Sequence, residues 1–96
     1  MRKRLYSKYR YISLHNFMRF TVYSKQGCPY CQKIAQVLEL SDLEHKIYDL
    51  HDDFTPQQFY AEFGEGSTFP QVILNDQEHL GGCVDTIKYL QENKII

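Results

Sequence analysis

The sequence predicts a small α/β domain in which helices cover a mixed sheet. Strand-like and helix-like segments alternate along the chain, the last two strand-like segments pair as a hairpin, and a closing helix follows. The 96 residues suffice for one domain with a single core. With 43% hydrophobic residues and no apolar run of bilayer length, neither disorder nor a membrane span is favoured.

The first half of the predicted domain is strand, helix, strand. Residues 19–24 alternate apolar with more polar side chains and stop before a glycine, which is typical of a β-strand. Pro29 suits a first helical position, and apolar side chains then recur at spacings of three and four up to about Leu40. Residues 45–50 form a second short strand-like run. Because a helix connects the two strands, they are predicted to be parallel.

A second helix is predicted from the residues at its N-terminus. Thr55 and Gln58 have the spacing of a capping box, in which each side chain bonds the other's backbone N–H. Pro56, between them, suits the first helical position. The helix is therefore predicted to begin at Pro56 and to stop near Gly64.

The remaining segments predict a hairpin and a closing helix. Residues 71–74 and 78–80 are short apolar runs around a polar turn, which indicates two antiparallel strands. A glycine pair ends the hairpin, and a helix with one apolar side follows. The predicted buried residues of that side are Val84, Ile87 and Leu90.

Two cysteines separated by two residues, Cys28 and Cys31, open the first predicted helix. Backbone N–H groups and the helix dipole stabilise a thiolate at a helix N-terminus, so Cys28 is the predicted nucleophile. Cys31 lies about one turn further in and is the predicted resolving thiol. With Cys83 the cysteine count is odd, which does not fit a disulfide-stapled secreted domain. A reducing cytoplasm is therefore the expected location.

Residues 1–17 differ in charge from the rest of the chain. They hold five basic and no acidic side chains, whereas residues 18–96 hold 6 basic and 12 acidic ones, for a net charge of −1. Such a segment fits a basic arm, an organelle-targeting peptide, or an in-frame extension before a true start at Met18. We expect a basic extension over 1–17 and one domain over 18–96, with neither nucleic acid nor a membrane as partner. The basic residues are Arg2, Lys3, Arg4, Lys8 and Arg10.

Three separated motifs resemble those of the glutaredoxin family. They are Cys28-Pro29-Tyr30-Cys31, Thr68-Phe69-Pro70-Gln71 and Gly81-Gly82-Cys83-Val84-Asp85. Over residues 18–96 the chain is similar to a classical dithiol glutaredoxin of the Cys-Pro-Tyr-Cys type. The resemblance implies a thioredoxin-like fold, with a four-stranded mixed sheet, about three helices, and Pro70 as a cis-proline facing the cysteine pair.

The same resemblance implies the activity and the partners. A glutathione-dependent thiol–disulfide oxidoreductase would reduce protein disulfides and glutathione mixed disulfides, with glutathione as cosubstrate and no metal. The implied protein is a cytoplasmic monomer whose protein substrate is unknown, with ribonucleotide reductase as a candidate at the level of the family.

A glutathione site is also implied. Lys25 is expected to bind the glycine carboxylate and to hold the pKa of the Cys28 thiol below its ordinary value of about 8.5. The Phe69 backbone should pair with the cysteinyl part of glutathione, and Asp85 should receive the γ-glutamyl amino group. The family more often has valine at the Phe69 position. The predicted set is Lys25, Tyr30, Gln57, Thr68, Phe69, Pro70, Gly82, Cys83, Val84 and Asp85.

Three other functions stay open on sequence alone. One is a thioredoxin-like electron donor reduced by a reductase. Another is a dimer that bridges an iron–sulfur cluster through Cys28 and glutathione, which Pro29 disfavours. The third is a structural zinc site, although zinc sites usually close with a second compact pair of ligands. The candidate zinc ligands are Cys28, Cys31, His79 and Cys83.

Overall fold

A computed structural model describes residues 18–96, which form four strands and three helices. The predictions for residues 1–17 lie outside the described residues. No helix within 18–96 is long and apolar enough to cross a membrane. The elements are β1 (Arg19–Ser24), α1 (Pro29–Leu40), β2 (Glu44–Asp49), α2 (Pro56–Phe63), β3 (Gln71–Leu74), β4 (Glu78–Gly81) and α3 (Cys83–Glu92).

The order and type of all seven elements are confirmed. The second strand lies one residue earlier than predicted, and β4 extends one residue further, to Gly81. The strands form one sheet in the order β2-β1-β3-β4. β1 is parallel to β2 and antiparallel to β3, and β4 is antiparallel to β3. The sheet is therefore mixed, as predicted, and the helical connection α1 is what allows the parallel pair.

One face of the sheet packs against α1 and α3 through what we call the aliphatic layer. Its side chains come from β1, β3, both helices and the turn after α1, and most are fully buried. Burying a side chain of this size stabilises the fold by about 1.5–3 kcal/mol. The members are Phe20, Val22, Ile34, Leu38, Leu43, Val72, Leu74, Cys83 and Leu90.

The buried side of α3 differs from the predicted one. Cys83, Thr86 and Leu90 are buried, whereas Val84 is 70% exposed. The predicted set and the buried set both have helical spacing, and the packing of α3 on the sheet determines which set is buried. The buried Thr86 hydroxyl donates to the Gly82 carbonyl over 2.8 Å, so its polar atom is paired.

The opposite face of the sheet is covered by α2. Its capping box is formed as predicted: Thr55 Oγ1 accepts from the Gln58 N–H at 3.1 Å, and Gln58 Oε1 accepts from the Thr55 N–H at 2.8 Å. Phe54 precedes this cap and stacks on Phe59 with ring centroids 5.8 Å apart. The contact is a hydrophobic staple, which fixes the direction in which the chain enters the helix.

A group of aromatic rings packs beneath α2, and we call this group the aromatic layer. Tyr23 of β1 lies 5.2 Å from Phe54 and 5.1 Å from Phe63, both in edge-to-face geometry. Phe59 lies 5.0 Å from Phe63. These separations are within the range in which aromatic pairs attract. The members are Tyr23, Tyr48, Phe54, Phe59, Phe63 and Phe69.

Candidate active site

The cysteine pair lies where β1 leads into α1. A tight turn after the strand passes through Gly27, whose φ of 68° is in the left-handed region that favours glycine. Cys28 then occupies the N-cap position with an extended backbone, and Pro29 takes the first helical position. The turn and the cap together place the Cys28 sulfur at the positive end of α1.

Cys28 and Cys31 form a disulfide with their Cα atoms 5.2 Å apart. The Cys31 N–H donates to the Cys28 sulfur at 3.2 Å. Cys28 is 6% exposed and Cys31 3% exposed, so the predicted resolving sulfur is the more shielded of the two. In the reduced protein the same N–H and the helix dipole would stabilise a Cys28 thiolate.

A loop before β3 faces the cysteines. The peptide bond between Phe69 and Pro70 is cis, as expected from the resemblance. The Phe69 carbonyl oxygen lies 3.9 Å from the Cys28 sulfur. A disulfide sulfur has no proton to donate, so this contact is van der Waals in the oxidised protein, whereas a Cys28 thiol could donate there. The loop thus borders the Cys28 sulfur.

The Phe69 side chain turns into the aromatic layer. Its ring stacks on Phe59 with centroids 4.0 Å apart and planes 10° from parallel. The Lys25 ammonium lies over the Phe69 ring, 5.2 Å from its centroid. Lys25 is exposed and belongs to the turn just before Cys28. The structure therefore brings Lys25, Phe69 and the cysteine pair together.

Behind this loop lies a hydrogen-bonded pair that sequence reasoning did not single out. Gln71 is 9% exposed, and its Nε2 donates to the Thr68 carbonyl at 2.8 Å. Its Oε1 can only accept, so His79 Nε2, 2.6 Å away, is the donor. Gln71 and His79 are eight residues apart, and only the pairing of β3 with β4 joins them, so no local pattern marks the contact.

The N-terminus of α3 borders the same loop. A Cβ atom added to Gly82 would lie 3.4 Å from the Pro70 carbonyl oxygen, so the helix start and the loop are close neighbours. Gly82 is the N-cap and offers no side-chain acceptor. The first N–H groups of α3, at Cys83 and Val84, therefore have no capping side chain within the described chain. Such groups suit a carboxylate.

Asp85 lies in the first turn of α3, directly over Gly81. A Cβ atom on Gly81 would approach the Asp85 Cβ to 3.0 Å, and the φ of Gly81 is 109°. A larger residue at position 81 would therefore displace the Asp85 carboxylate as well as strain the turn. Asp85 is exposed, which leaves its charge available to a ligand and also favourable to the helix dipole.

The other predicted site residues are less closely associated with the cysteines. Tyr30 follows Pro29 on α1 and is 59% exposed. Gln57 is on the first turn of α2 and lines a separate shallow groove with Tyr60 and Glu65. Thr68 is exposed and contributes its carbonyl to the bond with Gln71.

Cys83 is a special case among the predicted residues. Its side chain is only 4% exposed and belongs to the aliphatic layer. Burial raises the pKa of the Cys83 thiol, and the charge of Lys33 offsets part of that effect. Only the Cys83 backbone is therefore placed to meet a ligand.

The candidate zinc ligands do not converge. Within residues 18–96, no group of three or more His, Cys, Asp or Glu side chains is placed to hold one metal ion. His79 bonds Gln71, and the Cys83 sulfur lies in the aliphatic layer. Cys28 and Cys31 are instead joined to each other by the disulfide.

Comparison with known proteins places this geometry in a family. The glutaredoxin family model matches residues 20–80. Glutaredoxin 1 of Salmonella typhimurium is 34% identical over 82 residues, which cover 77% of this chain and 93% of that protein. The crystal structure of glutaredoxin 1 from Francisella tularensis in complex with cacodylate is similar with a TM-score of 0.60 and 28% identity, over 81% of this chain and 96% of that one.

A further likeness concerns the fold alone. The crystal structure of a buckwheat glutaredoxin–glutathione complex has a TM-score of 0.65 at 21% identity, over 85% of this chain and 76% of that one. The matched part of the present chain includes the Cys28–Cys31 disulfide and the cis-Pro70 loop. Sequence, fold and site agree: the chain belongs to the glutaredoxin family of glutathione-dependent thiol–disulfide oxidoreductases.

Proposed function

We propose that this chain is a dithiol glutaredoxin of the Cys-Pro-Tyr-Cys type, which reduces protein disulfides and glutathione mixed disulfides. One observation carries the proposal. The Cys28 sulfur caps α1, accepts the Cys31 N–H, forms a disulfide with Cys31, and has the Phe69 carbonyl as its neighbour. A sulfur in this position can exist as a thiolate, can be attacked, and lies beside a backbone segment to which a peptide-like ligand can bond.

The dithiol reaction has two steps. The Cys28 thiolate attacks one sulfur of the substrate disulfide, the substrate S–S bond breaks, and the leaving thiolate takes a proton. The Cys31 thiolate then attacks the Cys28 sulfur of the mixed disulfide. This releases the second substrate thiol and forms the Cys28–Cys31 disulfide that the structure contains.

Glutathione then returns the enzyme to the reduced state. One glutathione thiolate attacks the Cys28 sulfur, which breaks the Cys28–Cys31 bond and leaves glutathione bound to Cys28. A second glutathione thiolate then attacks the sulfur of the bound glutathione, which frees the Cys28 thiolate and releases oxidised glutathione. A substrate that already carries glutathione needs only Cys28, because glutathione itself can resolve the intermediate. The described residues therefore suffice for the redox steps without a metal.

Glutathione would lie along the loop between the cysteines and α3. The Lys25 ammonium would bind the glycine carboxylate, and the Phe69 backbone would pair with the cysteinyl amide. The N–H groups at the start of α3 and the Asp85 carboxylate would hold the γ-glutamyl end. The buckwheat glutaredoxin–glutathione complex, which has the same fold, supports this class of ligand. Tyr30 and Gln57 complete the proposed contacts.

The wider assignment follows from the same proposal. Residues 18–96 would form the catalytic domain, with residues 1–17 as a basic extension. The protein would act as a cytoplasmic monomer on disulfide-bearing or glutathionylated proteins, with ribonucleotide reductase as one candidate. Brown colour after anaerobic purification would instead favour an iron–sulfur-bridging dimer.

The experiment is a glutathione-dependent assay on a small glutathione mixed disulfide, with glutathione reductase and NADPH to follow oxidised glutathione. We expect turnover that saturates with glutathione. A parallel reaction supplies thioredoxin reductase and NADPH without glutathione, and there we expect little reduction of the enzyme. Rapid reduction by the reductase with no response to glutathione would favour the thioredoxin-like alternative.

A further inference from the structure

We propose that Phe69 is a positioning residue for Lys25: its ring holds the Lys25 ammonium beside the disulfide, ready for the glycine carboxylate of glutathione. The inference rests on the proposed function and deepens it. It assigns a role to the Phe69 side chain, whereas the proposed ligand contact uses only the Phe69 backbone.

The ring of Phe69 is held in place by the ring on which it stacks. It lies parallel to Phe59, with centroids 4.0 Å apart. Phe59 is 1% exposed and is itself held by Phe54 and Phe63, at 5.8 Å and 5.0 Å. A ring supported by a buried neighbour of this kind cannot easily turn away, since rotation would open a gap in the aromatic layer. Phe69 therefore presents a constant face.

That face is where the ammonium lies. Phe59 covers one side of the Phe69 ring, so Lys25 Nζ, 5.2 Å from the centroid, is placed over the other side. The separation is within the roughly 6 Å over which a cation is attracted to a ring. An exposed lysine side chain otherwise samples many rotamers, and binding a carboxylate would have to overcome that freedom. The ring reduces this cost before glutathione arrives.

The ring and a carboxylate can engage the ammonium together. A lysine ammonium has three N–H donors, and those that point away from the ring stay available for an anion. The Phe69 carbonyl is 3.9 Å from the Cys28 sulfur, so backbone and side chain of one residue face the sulfur and the cation respectively. Changing the ring alone leaves the backbone contact in place and isolates the effect on Lys25.

The test is the KM for glutathione in the mixed-disulfide assay with Phe69→Leu, which keeps an apolar side chain but removes the π face. Loss of an exposed cation–π contact should raise KM about twofold to fivefold, with kcat nearly unchanged. Phe69→Tyr keeps a ring and should keep the wild-type KM. In a Lys25→Gln background, where KM is already raised, Phe69→Leu should add little, because the cation is gone.

A second cation–ring pair provides the matched control. Lys46 Nζ lies 5.7 Å from the centroid of Tyr48, on β2 and away from the cysteines. Lys46→Gln removes the cation of this second pair, as Lys25→Gln does for the first, and should leave the KM for glutathione unchanged. If Phe69→Leu leaves KM unchanged or lowers it, or raises it equally in the Lys25→Gln background, the positioning role is overturned. Wild-type turnover that does not depend on glutathione would instead overturn the proposed function.

A measurement on the wild-type protein does not depend on whether the variants fold. In a proton NMR spectrum, the Lys25 side-chain methylene signals next to the ammonium should be shifted upfield by the ring current of Phe69. Lys88, which is exposed on α3, serves as the reference lysine. Lys25 signals at the same position as those of Lys88 would show that the ring does not hold the cation in solution.

Discussion

The two faces of the sheet differ in composition, in packing and in their relation to the disulfide. The aliphatic layer is closed: Val22, Ile34, Leu38, Val72 and Leu90 are all 0% exposed. The aromatic layer opens into a cavity of about 330 Å³ whose lining mixes rings with polar side chains. These lining residues are Tyr23, Tyr48, Asp53, Phe54, Gln58, Phe59 and Glu62.

The active site lies where the two layers meet. Cys28 opens α1, which packs into the aliphatic layer, whereas Phe69 reaches the same sulfur from the aromatic layer. We infer that the two layers have separate tasks. The closed aliphatic layer stabilises the fold, whereas the aromatic layer supports Phe69, which borders the proposed glutathione site. Substitutions in the two layers should therefore separate stability from glutathione binding.

The largest expected effect is on stability. Leu38→Ala in the aliphatic layer should lower the free energy of unfolding by about 2–5 kcal/mol, because it leaves a cavity in a closed core. Phe59→Leu in the aromatic layer should cost less, about 1–2 kcal/mol, because most of the volume is kept. Urea unfolding of the oxidised proteins measures both values.

The same two variants should have the opposite order of effect on the KM for glutathione. Per folded molecule, Leu38→Ala should keep the wild-type KM for glutathione, whereas Phe59→Leu should raise it because Phe69 loses its support. A raised KM in Leu38→Ala with an unchanged one in Phe59→Leu would break the division of tasks between the layers.

The next largest effect is on the far end of the ligand site. Asp85→Asn keeps the shape and removes the charge, so glutathione-dependent kcat/KM should fall about fivefold to thirtyfold. Alkylation of Cys28 by a small uncharged reagent should hardly change, because the proposed contact of Asp85 is with the end of glutathione that is remote from the sulfur. Asp76→Asn is the matched control: Asp76 is an exposed carboxylate in the hairpin turn, paired with Arg19 at 3.3 Å, and its loss should leave kcat/KM unchanged.

Each layer also contains one group whose pKa is raised, which predicts how stability depends on pH. Burial raises the pKa of Cys83 above 9.0 in the aliphatic layer, and burial, followed by Glu62, raises that of Tyr23 above 10.0 in the aromatic layer. Because the unfolded chain releases these protons first, their contribution is complete below about pH 9 and is lost as the pH rises further.

Unfolding of the oxidised protein by urea from pH 7 to pH 11 measures this effect. The midpoint should fall above about pH 9 in the wild type. Cys83→Ala should flatten the beginning of the decline, and Tyr23→Phe should flatten the part above about pH 10. If neither substitution changes the decline, titrating groups other than Cys83 and Tyr23 cause the loss of stability.

Local features of the fold were predictable, and contacts across the sheet were not. The alternation in β1 and the capping box at Thr55 depend on neighbouring residues, so a short stretch of sequence contains the whole signal. The stacking of Phe69 on Phe59 joins separate elements, and no periodicity announces it. The side of α3 was predicted wrongly at Val84, because residues 84, 87 and 90 have almost the same spacing as 83, 86 and 90.

Among the site residues, too, local signals were predictable and contacts between elements were not. The spacing of Cys28 and Cys31 at a helix start identified the redox pair, and the resemblance to a known family implied the cis-proline loop, because each signal lies in a short segment. The bond between Gln71 and His79 was missed because it exists only once β3 pairs with β4. The position of the Lys25 ammonium over Phe69 likewise requires the folded loop.

The smallest expected effect concerns residues 1–17. The predicted pattern of strands and helices begins only after Met18, so a chain that starts at Met18 should melt and turn over like the full chain. Thermal unfolding followed by circular dichroism is the measurement. A fall in Tm of more than about 4–8 °C would mean that the extension stabilises one of the layers by 1 kcal/mol or more.

The most direct test of the central claim separates the two cysteines. Glutathione-dependent reduction of a glutathione mixed disulfide and of a protein disulfide is measured for Cys28→Ser and Cys31→Ser. Cys28→Ser should abolish both reactions, because the nucleophile at the start of α1 is gone. Cys31→Ser should keep the first and lose most of the second, because glutathione can resolve only an intermediate that a glutathionylated substrate has formed. Equal loss of both reactions in Cys31→Ser, or activity in Cys28→Ser, would contradict the account.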